Sequence, residues 1–137
     1  MDKKFIFGGL AGGVAYFLLG WVIYGMLLKD AMAGWAGSDP ISMKETPDFL
    51  HLIIGNMFIG FFLSYVFTKW AGVKSLMGGL MAGATIGLFV NPGFDFTFFA
   101  TSNAFNFTGV IMDTITGTVM FGLTGAVVGG LLGALDK

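Results

Sequence analysis

The sequence predicts an all-α protein: a polytopic transmembrane four-helix bundle with glycine-rich helix seams. Three observations carry that expectation. The chain is 55% hydrophobic and only 11% charged over 137 residues, whereas a soluble domain carries roughly a quarter charged residues. Its apolar residues gather into four runs, each near the ~20 residues that cross hydrocarbon as a helix. Many of its 23 glycines recur four apart within those runs, the spacing that places residues on one helix face. The length allows one transmembrane domain, residues 1–137.

Span one covers 5–28 without a charge. Lys3 and Lys4 before it and Ala31-Met32-Ala33 after it imitate a signal peptide. Its apolar run is too long for that, and Lys29 and Asp30 intervene, so an uncleaved helix is expected. The outer segment 29–47, with Trp35 and Gly37-Ser38-Asp39-Pro40, reads as a short interfacial helix and a turn. Thr46-Pro47 is expected to open span two, since Thr caps helix N-termini and Pro suits the first helical position.

Span two, 49–68, holds His51 and Asn56 as its notable polar groups. A tight link bearing Lys69 and Lys74 leads to span three, 75–94, which Asn91-Pro92-Gly93 is expected to end. Residues 95–108 then read as an outer segment whose phenylalanines lie on or dip into the outer leaflet. Span four, 110–135, is uncharged from Thr114 onward, with Asp113 just before.

Lysine placement sets the expected orientation. Lys3, Lys4, Lys69, Lys74 and Lys137 share one side of a four-span chain. Lys29 and Lys44 on the other side are outnumbered by Asp30, Asp39, Glu45 and Asp48. Both termini are therefore expected in the cytoplasm, with the chain in the inner membrane of the cell.

The expected seams are specific. Span three presents Gly79, Gly83 and Gly87, and span four Gly125, Gly129 and Gly133. Span one offers Gly9 and Gly13, and span two Gly60 and Ser64. Small residues let backbones approach, so dispersion replaces the hydrophobic drive that lipid does not supply. These seams are expected to pack the bundle itself; the sharper alternative is that some face a second copy, since four glycine-lined helices offer more seams than one small bundle can use. Gly8-Gly9-Leu10 with Gly13 also recurs as Gly78-Gly79-Leu80 with Gly83, a faint parallel repeat.

Several functions are excluded. The net charge of −1 and the absence of a basic patch leave no footprint for nucleic acid. Without cysteine there is no disulfide, thiolate metal site or thiol nucleophile. One histidine cannot build a multi-histidine metal or haem site in one chain, and no Ser-His-Asp set is evident. No cofactor and no enzymatic step are expected.

The candidate polar or proton sites are Asp113, His51, Asn56, Asp48 and Thr85. Asp113 lies in line with Gly109, Gly117 and Gly125, so it is expected to face a seam, near the outer headgroup boundary. His51 follows Asp48 by three residues on one helix face, and a His51–Asp113 pair in the outer leaflet is the sharper alternative. Asn56 suits hydrogen bonding between helices, and Asn56, Tyr16 and Thr85 could share a mid-membrane layer.

Gly20-Trp21-Val22-Ile23-Tyr24-Gly25, the segment ending at Trp35 and the polar start of span four at Asp113-Thr114 carry a resemblance. With four spans, the chain resembles a family of small bacterial four-helix integral membrane proteins whose domain has no assigned function. The resemblance implies the fold and no activity. Met26-Leu27-Leu28 departs from the proline or bulky turn usual there. The expected role is non-enzymatic, an oligomerising or accessory subunit whose partners are membrane lipid, a second copy or another membrane subunit. The alternative is a proton- or ion-coupled permeation unit formed by an oligomer.

Overall fold

The computed structural model describes residues 3–42 and 44–136; Lys137, one of the five lysines used for orientation, lies outside them. Among the described residues four helices are long and apolar enough to cross a membrane, and no strand forms. The protein is thus a multi-pass all-helical membrane protein. Helix α1 covers Lys3–Val22 and continues as a π-helical turn, Ile23–Leu27. Helix α2 covers Phe49–Tyr65, with a second π-helical turn at Val66–Ala71. Helices α3, Leu76–Thr101, and α4, Phe107–Leu135, complete the set.

Local chemistry fixes the ends. Gly72 sits in the left-handed region at φ 63°, which stops α2, and Ser75 caps α3 by accepting from the Gly78 N–H. Asn106 caps α4 by accepting from the Gly109 N–H. Asp48, not Thr46, caps α2 by accepting from the His51 N–H, so Thr46-Pro47 stays outside the helix. A carboxylate there also complements the helix dipole, which a hydroxyl does not.

The helices form two hairpins, α1 with α2 and α3 with α4, joined where α1 lies along α4. Half of α4's most apolar stretch is buried, against 17–22% for the other three, so α4 is the central helix. Leu63, Phe67, Phe121, Val128 and Leu132 form the core where the hairpins meet. Outward face Leu10, Leu18, Phe58, Phe62, Met81 and Phe89, among other large apolar side chains. Lipid solvates such a surface, and water would not.

Glycines stand at the closest helix approaches. A methyl group at Gly79 would strike the Gly125 carbonyl, one at Gly83 the Phe121 carbonyl, and one at Gly129 the Ser75 carbonyl. At Gly133 it would strike the Lys74 carbonyl, and at Gly87 the Phe121 side chain. Between α1 and α2, Gly60 meets the backbone of Gly9, Gly12 and Gly13. Gly9 and Gly13 themselves meet the side chains of Phe61 and Met57.

The structure corrects the end of span three. The helix does not stop at residue 94, and 95–108 is not one long outer segment: α3 runs through Pro92 to Thr101, and only residues 102–106 separate it from α4. Pro92 removes one N–H, but unwinding would leave many more backbone groups unpaired in lipid. Side chains add bonds on both sides of the proline: the Asn91 amide donates to the Gly87 carbonyl (2.8 Å), and the Thr97 hydroxyl to the Gly93 carbonyl (2.7 Å). Helix α3 is therefore about 39 Å long and α4 about 43 Å, both longer than the ~30 Å hydrocarbon core.

At the end that carries Lys4 and Asp136, termed basal here, Asp136 pairs with Lys4 and with Lys74 (3.0 Å). At the opposite, apical end, the segment after α1 forms a short 3₁₀ helix, Ala31–Trp35, then crosses to the α3–α4 link. The Gly37 and Asp39 N–H groups donate to the Ala104 and Asn103 carbonyls, and the Asn106 N–H to the Trp35 carbonyl. Trp35 is buried against Gly109. This strap roofs the start of α4.

Candidate functional site

The tight approach of α3 and α4 leads directly to a polar site. Gly79, Gly83, Gly87, Asn91 and Asp95 follow one another at steps of four along α3. Facing them on α4, also at steps of four, run Gly129, Gly125, Phe121, Gly117 and Asp113. Gly117 leaves room for the Asn91 amide. One turn further on, the carboxyls of Asp95 and Asp113 face each other within hydrogen-bonding reach.

Neighbours hold both carboxyls in place. The Tyr24 hydroxyl, from the π-helical turn that ends α1, donates to Asp113 (2.7 Å). The Thr114 hydroxyl donates to Asp95 (3.2 Å). Tyr16, two turns before Tyr24, packs edge-on to Phe121. All of Tyr24, Asp95, Asp113 and Thr114 are half-buried. Along the helices, Asp95 lies about 28 Å from the basal start of α3 and Asp113 about 33 Å from the basal end of α4. The pair therefore sits near the apical boundary of the hydrocarbon core.

Two carboxylates this close repel strongly when both are ionised, and one shared proton turns that repulsion into a hydrogen bond. The pair is thus chemically suited to hold one proton and release it, with Tyr24 and Thr114 supplying donors to whichever oxygens carry charge. Among the described residues no three His, Cys, Asp or Glu side chains converge as metal ligands.

The structure separates the other sequence candidates from this site. His51 is exposed and its Nδ1 meets the Asp48 carboxylate at 2.7 Å; it does not pair with Asp113. Asn56 donates to the Leu52 carbonyl of its own helix (2.6 Å), not to another helix. Thr85 is exposed and bonds the Met81 carbonyl (2.7 Å), so it does not join a layer with Tyr16. A lone polar side chain on a membrane helix satisfies itself on its own backbone, which explains Asn56 and Thr85, while His51 is satisfied by the Asp48 carboxylate.

Asp95 and Tyr24 were not among those candidates. Asp95 was hidden because a helix ending at Pro92 puts it in a loop. The available signal was the four-residue step from Gly87 through Asn91 to Asp95. Tyr24 carried no signal, because nothing in the sequence says which helix packs beside Asp113. Set against known protein families, curated proteins and solved structures, the chain matches none.

Proposed function

We propose that this is a non-enzymatic multi-pass membrane protein in which the Asp95–Asp113 pair binds and releases a proton, so that it serves as a proton-coupled unit of the membrane. The observation that carries the reading is the carboxyl–carboxyl approach between α3 and α4 with Tyr24 donating to it. Ionisable groups at membrane depth are costly and mark function by default. We favour this over a purely oligomerising or accessory role. The glycines at steps of four along α3 and α4, and Gly9, Gly13 and Gly60 of α1 and α2, are already engaged by helices of their own chain. We assign the lysine-rich basal end to the cytoplasmic side by the excess of lysine there, which puts the pair near the outer face.

Infrared titration of the protein in lipid tests this. The expected result is a protonated-carboxyl band that titrates as one shared proton and is lost in both Asp95→Asn and Asp113→Asn. Two carboxyls that titrate independently, each band surviving removal of the other, overturn the proposal. Proton flux in liposomes then separates the two forms of the reading. Flux that collapses in both variants identifies translocation, and a shared proton without flux identifies sensing.

A further inference from the structure

Among the described residues one buried side-chain hydroxyl has no hydrogen bond, that of Thr124 on α4. The helical threonines Thr68, Thr85, Thr97, Thr101, Thr116 and Thr118 each donate to the carbonyl four residues back. Thr124 makes no such bond, although it is fully buried. A hydroxyl kept from both water and partners is costly, more so at membrane depth.

The register of α1 against α4 places a second hydroxyl beside it. Gly8 lies against Leu132 and Gly12 against Val128. Four residues on, half-buried Tyr16 comes opposite Thr124, and the next step sets Gly20 against Met120. Thr124 is about 17 Å from the basal end of α4 and Tyr16 about 20 Å from that of α1, so both lie at mid-membrane. The seam is tight below them and looser above. A methyl group at Gly12 would come within 2.7 Å of Val128, whereas one at Gly20 would meet the Met120 thioether methyl at 3.5 Å, an ordinary contact. A methyl-sized gap therefore remains at Gly20. Leu63, Val128 and Leu132 close the basal side. One turn above Gly20, α1 carries Tyr24 and its bond to Asp113.

We propose that Tyr16 and Thr124 bind an ordered water at mid-membrane, the inner end of a hydrated seam that reaches through the gap at Gly20 to Tyr24 and the carboxyl pair. A water can accept from one hydroxyl and donate to the other, which satisfies both. The water site stands on the seam itself. Its use, as hydrogen-bonding partners for the pair's proton down to mid-membrane, rests on the proton reading. The apolar core below Thr124 leaves the seam open to the apical face alone.

Infrared difference spectra of the whole chain in lipid, in ordinary and in heavy-oxygen water, test this, with unfolding in mixed detergent beside them. A water O–H band that shifts in heavy-oxygen water is expected in the wild type. It should be lost in Thr124→Val and in Tyr16→Phe and kept in Thr124→Ser. Thr124→Val should unfold at a lower denaturant fraction than the wild type, because it strands the water, whereas removal of an orphaned hydroxyl would raise that fraction. Gly20→Ala fits without a clash and should slow the isotope exchange of the band several-fold. A wild type without the band, a band that survives both Thr124→Val and Tyr16→Phe, or a more stable Thr124→Val overturns the proposal. Unchanged exchange in Gly20→Ala overturns the route to the carboxyl pair. The carboxyl band in the same spectra keeps the two readings apart. A water band without a shared-proton band leaves this site standing and the proton reading overturned, and the reverse leaves the pair without this site.

Discussion

The two hairpins solve the same packing problem differently. In the α3–α4 hairpin backbone meets backbone: Gly79, Gly83 and Gly129 each approach a carbonyl of the facing helix. In the α1–α2 hairpin the contacts are mixed: Gly60 meets the backbone of Gly9, Gly12 and Gly13, while Gly9 lies against the Phe61 ring and Gly13 against both the thioether and the Cα of Met57. Side chains can rotate aside and backbones cannot, so α3–α4 is held at several backbone contacts along its length, while α1–α2 is held at Gly60 and has room to adjust beside Phe61. That difference matters at the apical end. The stiff hairpin carries both carboxyls at the last rung of its glycine rows, where their spacing must be constant for a proton to be shared. The adjustable hairpin contributes Tyr24 and the strap over α4.

The largest expected effect is on the stiff side. Gly125→Ala drives a methyl group into the Gly79 carbonyl, and overpacking of this kind costs about 3 kcal/mol. Unfolding in mixed detergent with sodium dodecyl sulfate measures it. Gly9→Ala in the adjustable hairpin should cost about 1 kcal/mol, because the Phe61 ring can move. Equal costs at the two positions would break the comparison between the hairpins. Gly125→Ala should also spread the carboxyls and weaken their shared proton, whereas Gly9→Ala should leave it intact.

How far the sequence reveals this depends on the interaction. Four membrane-crossing helices were legible because hydrocarbon demands a run of fixed length and composition, and little else satisfies it. The position of Asp113 in line with Gly117 and Gly125 was legible from the helical step alone, and the structure puts it at the α3–α4 approach. Asp95 was not, because proline ordinarily ends a helix in water, and the penalty for leaving lipid-exposed backbone unpaired overrides that habit. The His51–Asp113 pairing failed for another reason. Depth arithmetic gives a residue's height but not the azimuth of its helix, and α2 turns His51 outward. Nor does the sequence disclose that α4, rather than any other helix, is central.

A smaller effect tests the joint between the hairpins. The Tyr24 hydroxyl bridges from α1 to Asp113 on α4. Tyr24→Phe should cost about 1 kcal/mol, the usual worth of an interhelical hydrogen bond in a membrane. In a double-mutant cycle with Asp113→Ala the two losses should not add, since each removes the same bond. Additive losses would place the Tyr24 contribution elsewhere and leave the carboxyl pair without its link to the adjustable hairpin.

The smallest effect belongs to the basal ion pairs. Hydrogen bonds from Lys4 and then Lys74 hold the Asp136 carboxyl at about 2, below its ordinary 3.8. The sign follows from that depression: the clamp's contribution is fully present above pH 3.8 and is lost as pH falls through about 2. The group is exposed, so screening keeps the contribution slight and dependent on salt. The clamp ties α1 to the start of α3 through the end of α4, so its loss should loosen the junction of the hairpins and spare the glycine contacts inside α3–α4. Spin labels on residues 3 and 77 should report a longer and broader distance as pH drops from 4 to 2, while labels on 81 and 127 report no change. Asp136→Asn should show the loosened distance at every pH. If the two label pairs broaden together, the junction and the stiff hairpin open as one unit, and the separation of rigid from adjustable parts fails at this end.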